Sequence, residues 1–461
     1  MKNLFSTFAI LILFASQSFS QHSLQGVWEG GITVPGGQLK IVFKITETEN
    51  GYTGTLDIPQ QGAKGLSLDP ITQTGDSVSL NFKAGQVTGL FTGTFVSPTK
   101  IIGSYSQGGP STPFSIVRTS ATINNSSKAD NEISLLITNG DIDIGGTLTL
   151  PEGNIKAPLF IMNSGSGAQD RDSNVFGFKI FEVIAQHLAK NGIPSFRFDD
   201  RGINQSSGEF SNARLQDLTS DVEAIISYFQ NSTDYTFRKF GLLGHSQGGV
   251  VAGKVASENK AVSELILMGS TAPSLSEILR YQVEFAYSAS PINKALVEKE
   301  IRARESIMNA VVRGTELNNA KESYIKAYTE VLNNLPEAQR NSIPDMNAMV
   351  SSQTEQLAAL YSSPQIKSLL FYVPTKDLEK LTIPTLVLFG DNDTQVTISQ
   401  NQAKIRTALE TSGTGYTIKV IETANHLFQK SNTGLASEYP TLDRKFVGGF
   451  LEYISSWILD N

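Results

Sequence analysis

A serine held between two glycines, Gly244-His245-Ser246-Gln247-Gly248, is the stretch of this sequence best suited to nucleophilic chemistry. In a strand-to-helix elbow the serine occupies a strained turn, and the residues two before and two after it must be tiny so that strand and helix can approach. The letters alone are a weak signal. Ser106-Gln107-Gly108-Gly109 repeats Ser246-Gln247-Gly248-Gly249, yet Ser104 stands where the elbow requires glycine and no helical pattern follows. Only the second copy has the right surroundings.

A serine hydroxyl is a poor nucleophile near neutral pH and needs a base to take its proton and an acid to orient that base. The sequence offers four histidines. His22 lies at the start of the chain, His187 sits in an amphipathic helical pattern that suggests a surface or capping role, and His245 should point into the scaffold beneath the elbow. His426, in Ala424-Asn425-His426-Leu427-Phe428 after an apolar strand, is the natural base. For the acid, Asp391 and Asp393 follow the apolar run Thr385 to Phe389, and the order Ser, Asp, His puts the acid there. Asp393 is preferred, with Asp391 expected to shape the loop through backbone N–H groups. The oxyanion of an acyl-transfer intermediate needs aimed donors. The Gln247 amide, opening the helix after the serine, is one. The other is expected from Asn163-Ser164-Gly165-Ser166-Gly167, at the Ser166 amide or alternatively that of Gly165. This loop lacks the G-x-G-x-x-G spacing and the Walker lysine of nucleotide cradles. No metal or organic cofactor is implied.

These residues need a scaffold, and the chain supplies two textures. From Gly26 to about Arg118, apolar residues alternate with polar ones in short runs, as in Leu39, Ile41, Phe43 and Ile45, which predicts an antiparallel barrel or sandwich. The Gly26-Val27-Trp28 start resembles a lipocalin-type barrel, with Trp28 as a core plug. From about Leu159 strands alternate with helices: Leu159 to Met162, a helix over Phe176 to Lys190, Ile193 to Phe198, a helix over Leu215 to Phe229, Phe240 to Leu243, and Leu265 to Met268. That grammar predicts a mostly parallel sheet covered on both faces, with its site at the strand C-terminal ends. A stretch rich in Glu, Lys, Ala and Asn, about 274–380, interrupts the alternation and predicts a helical cap. The expected organisation is a signal peptide over 1–20, a β domain over 21–119, a linker over 120–131, and an α/β-hydrolase domain over 132–461.

A net charge of −7 without lysine or arginine runs argues against a nucleic-acid partner and for a small-molecule substrate. The basic start, apolar run Leu4 to Ala15 and small residues before Gln21 predict export to the periplasm or the extracellular space, with no lipoprotein cysteine and no transmembrane segment. The chain has no cysteine, so disulfides, thiolate metal sites and cysteine nucleophiles are excluded. Oligomeric state is left open.

The motifs Ser164-Gly165-Ser166-Gly167 with Asp170-Arg171-Asp172, Phe196-Arg197-Phe198-Asp199-Asp200-Arg201-Gly202, the Ser246 elbow, Asp393 and Asn425-His426-Leu427-Phe428 occur in order. Together they resemble secreted bacterial carboxylesterases of the α/β-hydrolase superfamily, of the EstD-like kind. The resemblance covers roughly Glu132 onward and implies a serine hydrolase of short-chain acyl esters with an N-terminal β domain and a helical cap. Ser164 departs from the histidine common in relatives. The charged residues Asp170, Arg171, Asp172, Asp199, Asp200 and Arg201 are expected to form an ion-pair network that fixes the loops. Two other readings are carried: a serine peptidase of the aminopeptidase or prolyl-oligopeptidase type, and an exported lipid- or glycan-binding protein with an inert hydrolase domain.

Overall fold

The computed structural model describes residues 22–461 apart from 35–36, 49–50, 59–62, 85–86, 108–110, 120–130, 288–291 and 342. The expected signal peptide and all but the last residue of the expected linker lie outside the described residues.

Eight strands form the N-terminal barrel: β1 (Gly26–Val34), β2 (Gly37–Thr48), β3 (Gly51–Ile58), β4 (Ala63–Thr74), β5 (Ser77–Ala84), β6 (Val87–Ser97), β7 (Lys100–Ser106) and β8 (Thr112–Thr119). Neighbours pair antiparallel, and β8 returns to β1 with Trp28 opposite Arg118, which closes the barrel. Closure removes both sheet edges, so no strand is left to pair with another chain. Every second residue points inward, and Trp28, Phe43, Leu56, Leu80, Phe91, Ile101 and Ile116 fill the interior at 0% exposure. Trp28 donates Nε1–H to the Leu24 carbonyl at 2.8 Å, so its polar end is satisfied within the plug.

The second sheet has the order β18-β17-β16-β15-β11-β14-β10-β9. It begins with an antiparallel pair absent from the sequence reading, β9 (Glu132–Asn139) and β10 (Ile142–Thr149), and β10 also runs antiparallel to β14 (Ser195–Phe198). The remaining strands are parallel: β11 (Leu159–Asn163), β15 (Phe240–His245), β16 (Val262–Met268), β17 (Thr385–Gly390) and β18 (Tyr416–Ile421). β15 lies between β11 and β16 with all six residues buried, as expected of a parallel strand covered on both faces.

Between β11 and α1 (Ile180–Lys190) stands a small hairpin, β12 (Asn174–Val175) with β13 (Phe178–Lys179). The helix expected from Phe176 therefore starts four residues later. Asn174 Oδ1 accepts the Gly177 N–H at 2.9 Å, and Phe176 and Gly177 adopt φ of +51° and +83°, a turn incompatible with a helix. From Ile180 on, Ile180, Phe181, Ile184, Ala185 and Leu188 form one buried face. On the sheet's other face pack α2 (Leu215–Asn231) and α3 (Gln247–Glu258), whose buried residues share one core with β11 and β15.

The interruption between β16 and β17 is helical: α4 (Leu275–Tyr287), α5 (Lys294–Arg313), α6 (Leu317–Asn333), α7 (Glu337–Asn341), α8 (Met346–Ser362), α9 (Pro364–Leu369) and α10 (Thr375–Leu378). Local signals set its ends. Asn293 caps α5 by accepting the Ala295 N–H, Gly314 ends it in the left-handed region, and Asp345 caps α8. The insertion docks sideways, with Ser368 Oγ accepting the Leu215 N–H of α2 at 2.9 Å. After β17 come α11 (Ile398–Ser412) and, at the end, α12 (Phe450–Asp460), which buries Phe450, Ile454 and Ile458 at i, i+4 spacing. His187 on α1 meets α12 through Ser455 Oγ at 3.0 Å, a packing role. Among the described residues no helix is long and apolar enough to cross a membrane.

Candidate active site

β15 delivers Ser246 at its C-terminal end and α3 begins at the next residue. Ser246 has φ +54° and ψ −121°, a conformation that costs a non-glycine residue free energy and is kept where function demands it. The surroundings enforce it. A Cβ on Gly244 would lie 2.4 Å from the Gly248 carbonyl oxygen, and one on Gly248 would lie 2.2 Å from that of Asn163, so strand, loop and helix touch only because side chains are missing. The Ser246 N–H is anchored to the Met268 carbonyl at 2.9 Å.

Asp393 and His426 meet across the sheet end: His426 Nδ1 lies 2.7 Å from Asp393 Oδ2, and both residues are buried. The other carboxylate oxygen of Asp393 accepts the N–H groups of Gln395 and Val396 at 2.8 and 2.9 Å. The loop shaping expected of Asp391 thus falls to Asp393, while Asp391 is exposed. One carboxylate can do both jobs because its two oxygens face different ways. His426 and Ser246 line the same cavity. Among the described residues no hydrogen bond joins the Ser246 hydroxyl to the ring; such bonds often tighten only when substrate is bound.

His245 is buried and also borders that cavity. Its Nε2 is 2.9 Å from the His426 carbonyl oxygen, and its ring stands 4.7 Å from that of His426. Burial, together with the neighbouring His426, pushes its pKa down to about 3, so His245 is neutral at ordinary pH.

The loop after β11 faces the elbow. Gly165 lies so near that a Cβ there would come within 3.4 Å of Ser246 Cβ, and Ser166 lines the cavity beside it. Gln247 opens α3, where first-turn N–H groups have no helical acceptor. The loop is fixed from behind. Asp200 accepts from Ser164 Oγ and from the Gln169 N–H, both at 2.8 Å. Burial lifts its carboxyl to about 7, against the opposing pull of those two hydrogen bonds. Arg171 binds Asp199 at 2.5 Å, and Arg201 grips Asp221 with two nitrogens at 2.7 and 2.8 Å. Asp172 pairs with Arg197, which also reaches Glu132 at 2.5 Å. Of the six charged residues expected in an ion-pair network, Asp200 has no cationic partner among the described residues and braces the loop through hydrogen bonds alone, whereas Asp170 pairs with Lys40, and Arg171, Asp172, Asp199 and Arg201 are held in ion pairs completed by Arg197, Glu132 and Asp221. Their signal was the burial of Arg197 within the strand Ser195–Phe198, which forces it to find carboxylates.

The cavity has a volume of about 210 Å³. Apolar groups such as Phe176, Leu427 and Tyr439 line part of it, and Gln169, Asn174 and Gln395 supply polar atoms. Among the described residues no group of three or more His, Cys, Asp or Glu is arranged to hold a metal ion.

Residues 178–366 match a family described as serine aminopeptidase, S33. Over 283 residues the chain is 22% identical to the esterase EstD of Thermotoga maritima, an alignment that covers 61% of this chain and 57% of that protein. The chain thus spans a little over half the length of that relative. A 252-residue stretch is 23% identical to an uncharacterized 31.7 kDa protein of Escherichia coli from the traX-finO intergenic region, covering 54% of this chain and 76% of that protein. Among solved structures, the chain is similar to a proline iminopeptidase of Mycobacterium smegmatis at 14% identity, covering 71% of this chain and 98% of that one with a TM-score of 0.43. An esterase of Pyrococcus furiosus is similar at 14% identity, covering 74% and 94% of the two chains with a TM-score of 0.44.

Proposed function

We propose that this chain, an α/β-hydrolase that resembles EstD-like esterases, is an exported serine carboxylesterase acting on short-chain acyl esters. Ser246 attacks the acyl carbon, and His426 takes its proton and returns it to the leaving alcohol. Asp393 holds the His426 ring with Nδ1 protonated and Nε2 toward the serine. The Gln247 amide and an amide from Gly165–Ser166 stabilise the oxyanion of the tetrahedral intermediate. Collapse of that intermediate expels the alcohol and leaves an acyl-serine, which water attacks by the same route in reverse.

The observation that carries the reading is the 2.7 Å link between Asp393 and His426, with His426 lining the same cavity as Ser246 in its strained elbow. The cavity size supports small acyl groups, since about 210 Å³ falls below the roughly 300–1,000 Å³ of pockets for drug-sized ligands. Export rests on the basic and apolar start of the sequence.

A fluorophosphonate probe should label wild-type protein at Ser246, and Ser246→Ala should lose both the label and at least about three orders of magnitude in p-nitrophenyl acetate hydrolysis. Rates should fall from acetate to octanoate esters. Because the matched family is described by an aminopeptidase, aminoacyl anilides form the comparison arm. Turnover of anilides in preference to acetates would replace the esterase by a peptidase with the same nucleophile.

A further inference from the structure

Among the described residues, none from the helical insertion lines the cavity above Ser246. The barrel does instead: Glu29 of β1, Lys40 of β2 and Val117 of β8 face the same space as Ser246 and His426. Strand alternation turns Trp28, Ile41 and Ile116 into the barrel core, so their neighbours Glu29, Lys40 and Val117 stand on its outer wall. Such a wall ordinarily meets water. Here it meets the loop that follows β11, where Lys40 Nζ lies 3.8 Å from Asp170 Oδ2 and 3.7 Å from Glu29 Oε2. One ammonium therefore stands between carboxylates of the barrel and of the hydrolase domain. Asp170 Oδ1 accepts the N–H groups of Asp172 and Asn174 at 3.0 and 3.2 Å, which fixes the carboxylate that faces Lys40.

We propose that the outer wall of the barrel is part of the substrate site, and that Glu29, Lys40 and Asp170 bind hydroxyl groups on the alcohol portion, so that the preferred substrates are short acyl esters of polyhydroxylated alcohols. The inference rests on the esterase reading above. A hydroxyl both donates and accepts, and this wall offers both partners side by side: carboxylate acceptors and an ammonium donor. Two carboxylates against one ammonium leave no surplus positive charge, so an anionic substrate finds no partner there. A plain alkyl alcohol would take water away from these groups without returning a hydrogen bond, which sets it behind an alcohol whose hydroxyls can bond to them.

The test compares glycerol monoacetate with propyl acetate, which share the acyl group and a three-carbon alcohol but differ by two hydroxyls. Wild type should favour the glycerol ester by about tenfold or more in kcat/KM, and Glu29→Gln and Lys40→Met should each reduce that preference by about five- to tenfold, the scale of one lost hydrogen bond. Lys40→Arg should keep most of the preference, and Val117→Trp, which fills the cavity, should slow both esters. Thermal melting of each variant identifies any that fail to fold, and the remaining ones decide the result. A wild-type ratio near one, or a ratio that Glu29→Gln and Lys40→Met leave unchanged in folded protein that still hydrolyses propyl acetate, overturns the barrel's role and leaves the esterase reading standing. Failure to cleave either ester, with no probe label on Ser246, overturns both.

Discussion

His245 and His426 are coupled through the backbone: His245 Nε2 lies 2.9 Å from the His426 carbonyl oxygen. A carbonyl can only accept, so Nε2 carries the proton and Nδ1 of the neutral ring is bare. That Nδ1 is buried and has no hydrogen-bond partner. The residue preceding Ser246 thus holds the main chain of the proposed base, and one bond ties the elbow to the histidine loop.

His245 is accordingly a positioning residue. His245→Ala should lower kcat by about 10- to 100-fold with KM little changed, because small misplacement of a reacting group is costly. His245→Gln, whose amide N–H can reach the same carbonyl, should recover most of the loss. Equal effects of Ala and Gln in ester kinetics would rule out the bond as the cause.

Asp393→Asn should cost about three to four orders of magnitude in kcat while the fold survives. The single amide oxygen of Asn can keep the two N–H bonds from Gln395 and Val396, leaving its NH2 to face His426 Nδ1. An NH2 there demands a bare Nδ1, so the proton moves to Nε2 and the ring can no longer accept from Ser246. Steady-state kinetics beside a melting curve separates this from unfolding.

Much of this site was legible because its chemistry is local in sequence. Glycines flanking Ser246, an apolar run before Asp393 and another before His426 place three residues at strand ends, and the alternation of strands and helices joins those ends along one edge. Loop roles within that frame were less legible. Asp391 and Asp393 have identical chemistry two residues apart, and only the backbone path decides that Asp393 both shapes its loop and meets His426. Of the missed pair β9 and β10, the apolar pattern of β10 is interrupted by Gly145 and Gly146. The cavity wall was not legible at all. Glu29, Lys40 and Val117 look like ordinary outward positions of a barrel, and nothing in a period-two pattern says which outer face another domain will cover.

Asp200 should make stability depend on pH in a direction opposite to most carboxylates. Its folded pKa of about 7 lies above the unfolded value near 4, so between those values the folded chain holds a proton that the unfolded chain has released. Stability is therefore fully present below that window and falls as pH rises through it, by on the order of 4 kcal/mol for this group alone. Glu264, lifted to about 7 by burial, acts the same way, whereas His245, lowered to about 3, acts the other way. The variant isolates the term. Asp200→Asn should gain in melting temperature relative to wild type as pH rises from 5 to 8, and a constant offset across that range would show that Asp200 ionises normally.

Gly244→Ala tests the elbow without touching a titratable group. The added Cβ would sit 2.4 Å from the Gly248 carbonyl oxygen and 2.5 Å from Gly249 Cα, both backbone atoms of α3 that cannot rotate aside. Relief requires the start of α3 to move away from β15, which would drag the Gln247 amide and Ser246 out of register and press Gly248 and Gly249 toward Asn163 and Ser270. Overpacking against rigid backbone should cost about 3 kcal/mol or more in urea unfolding, and protein that does fold should lose ester hydrolysis by a larger factor than its folded fraction explains. A one-carbon change at a glycine away from a close approach would do neither, and Gly415, with nothing within 4 Å of its Cβ position, provides that control as Gly415→Ala.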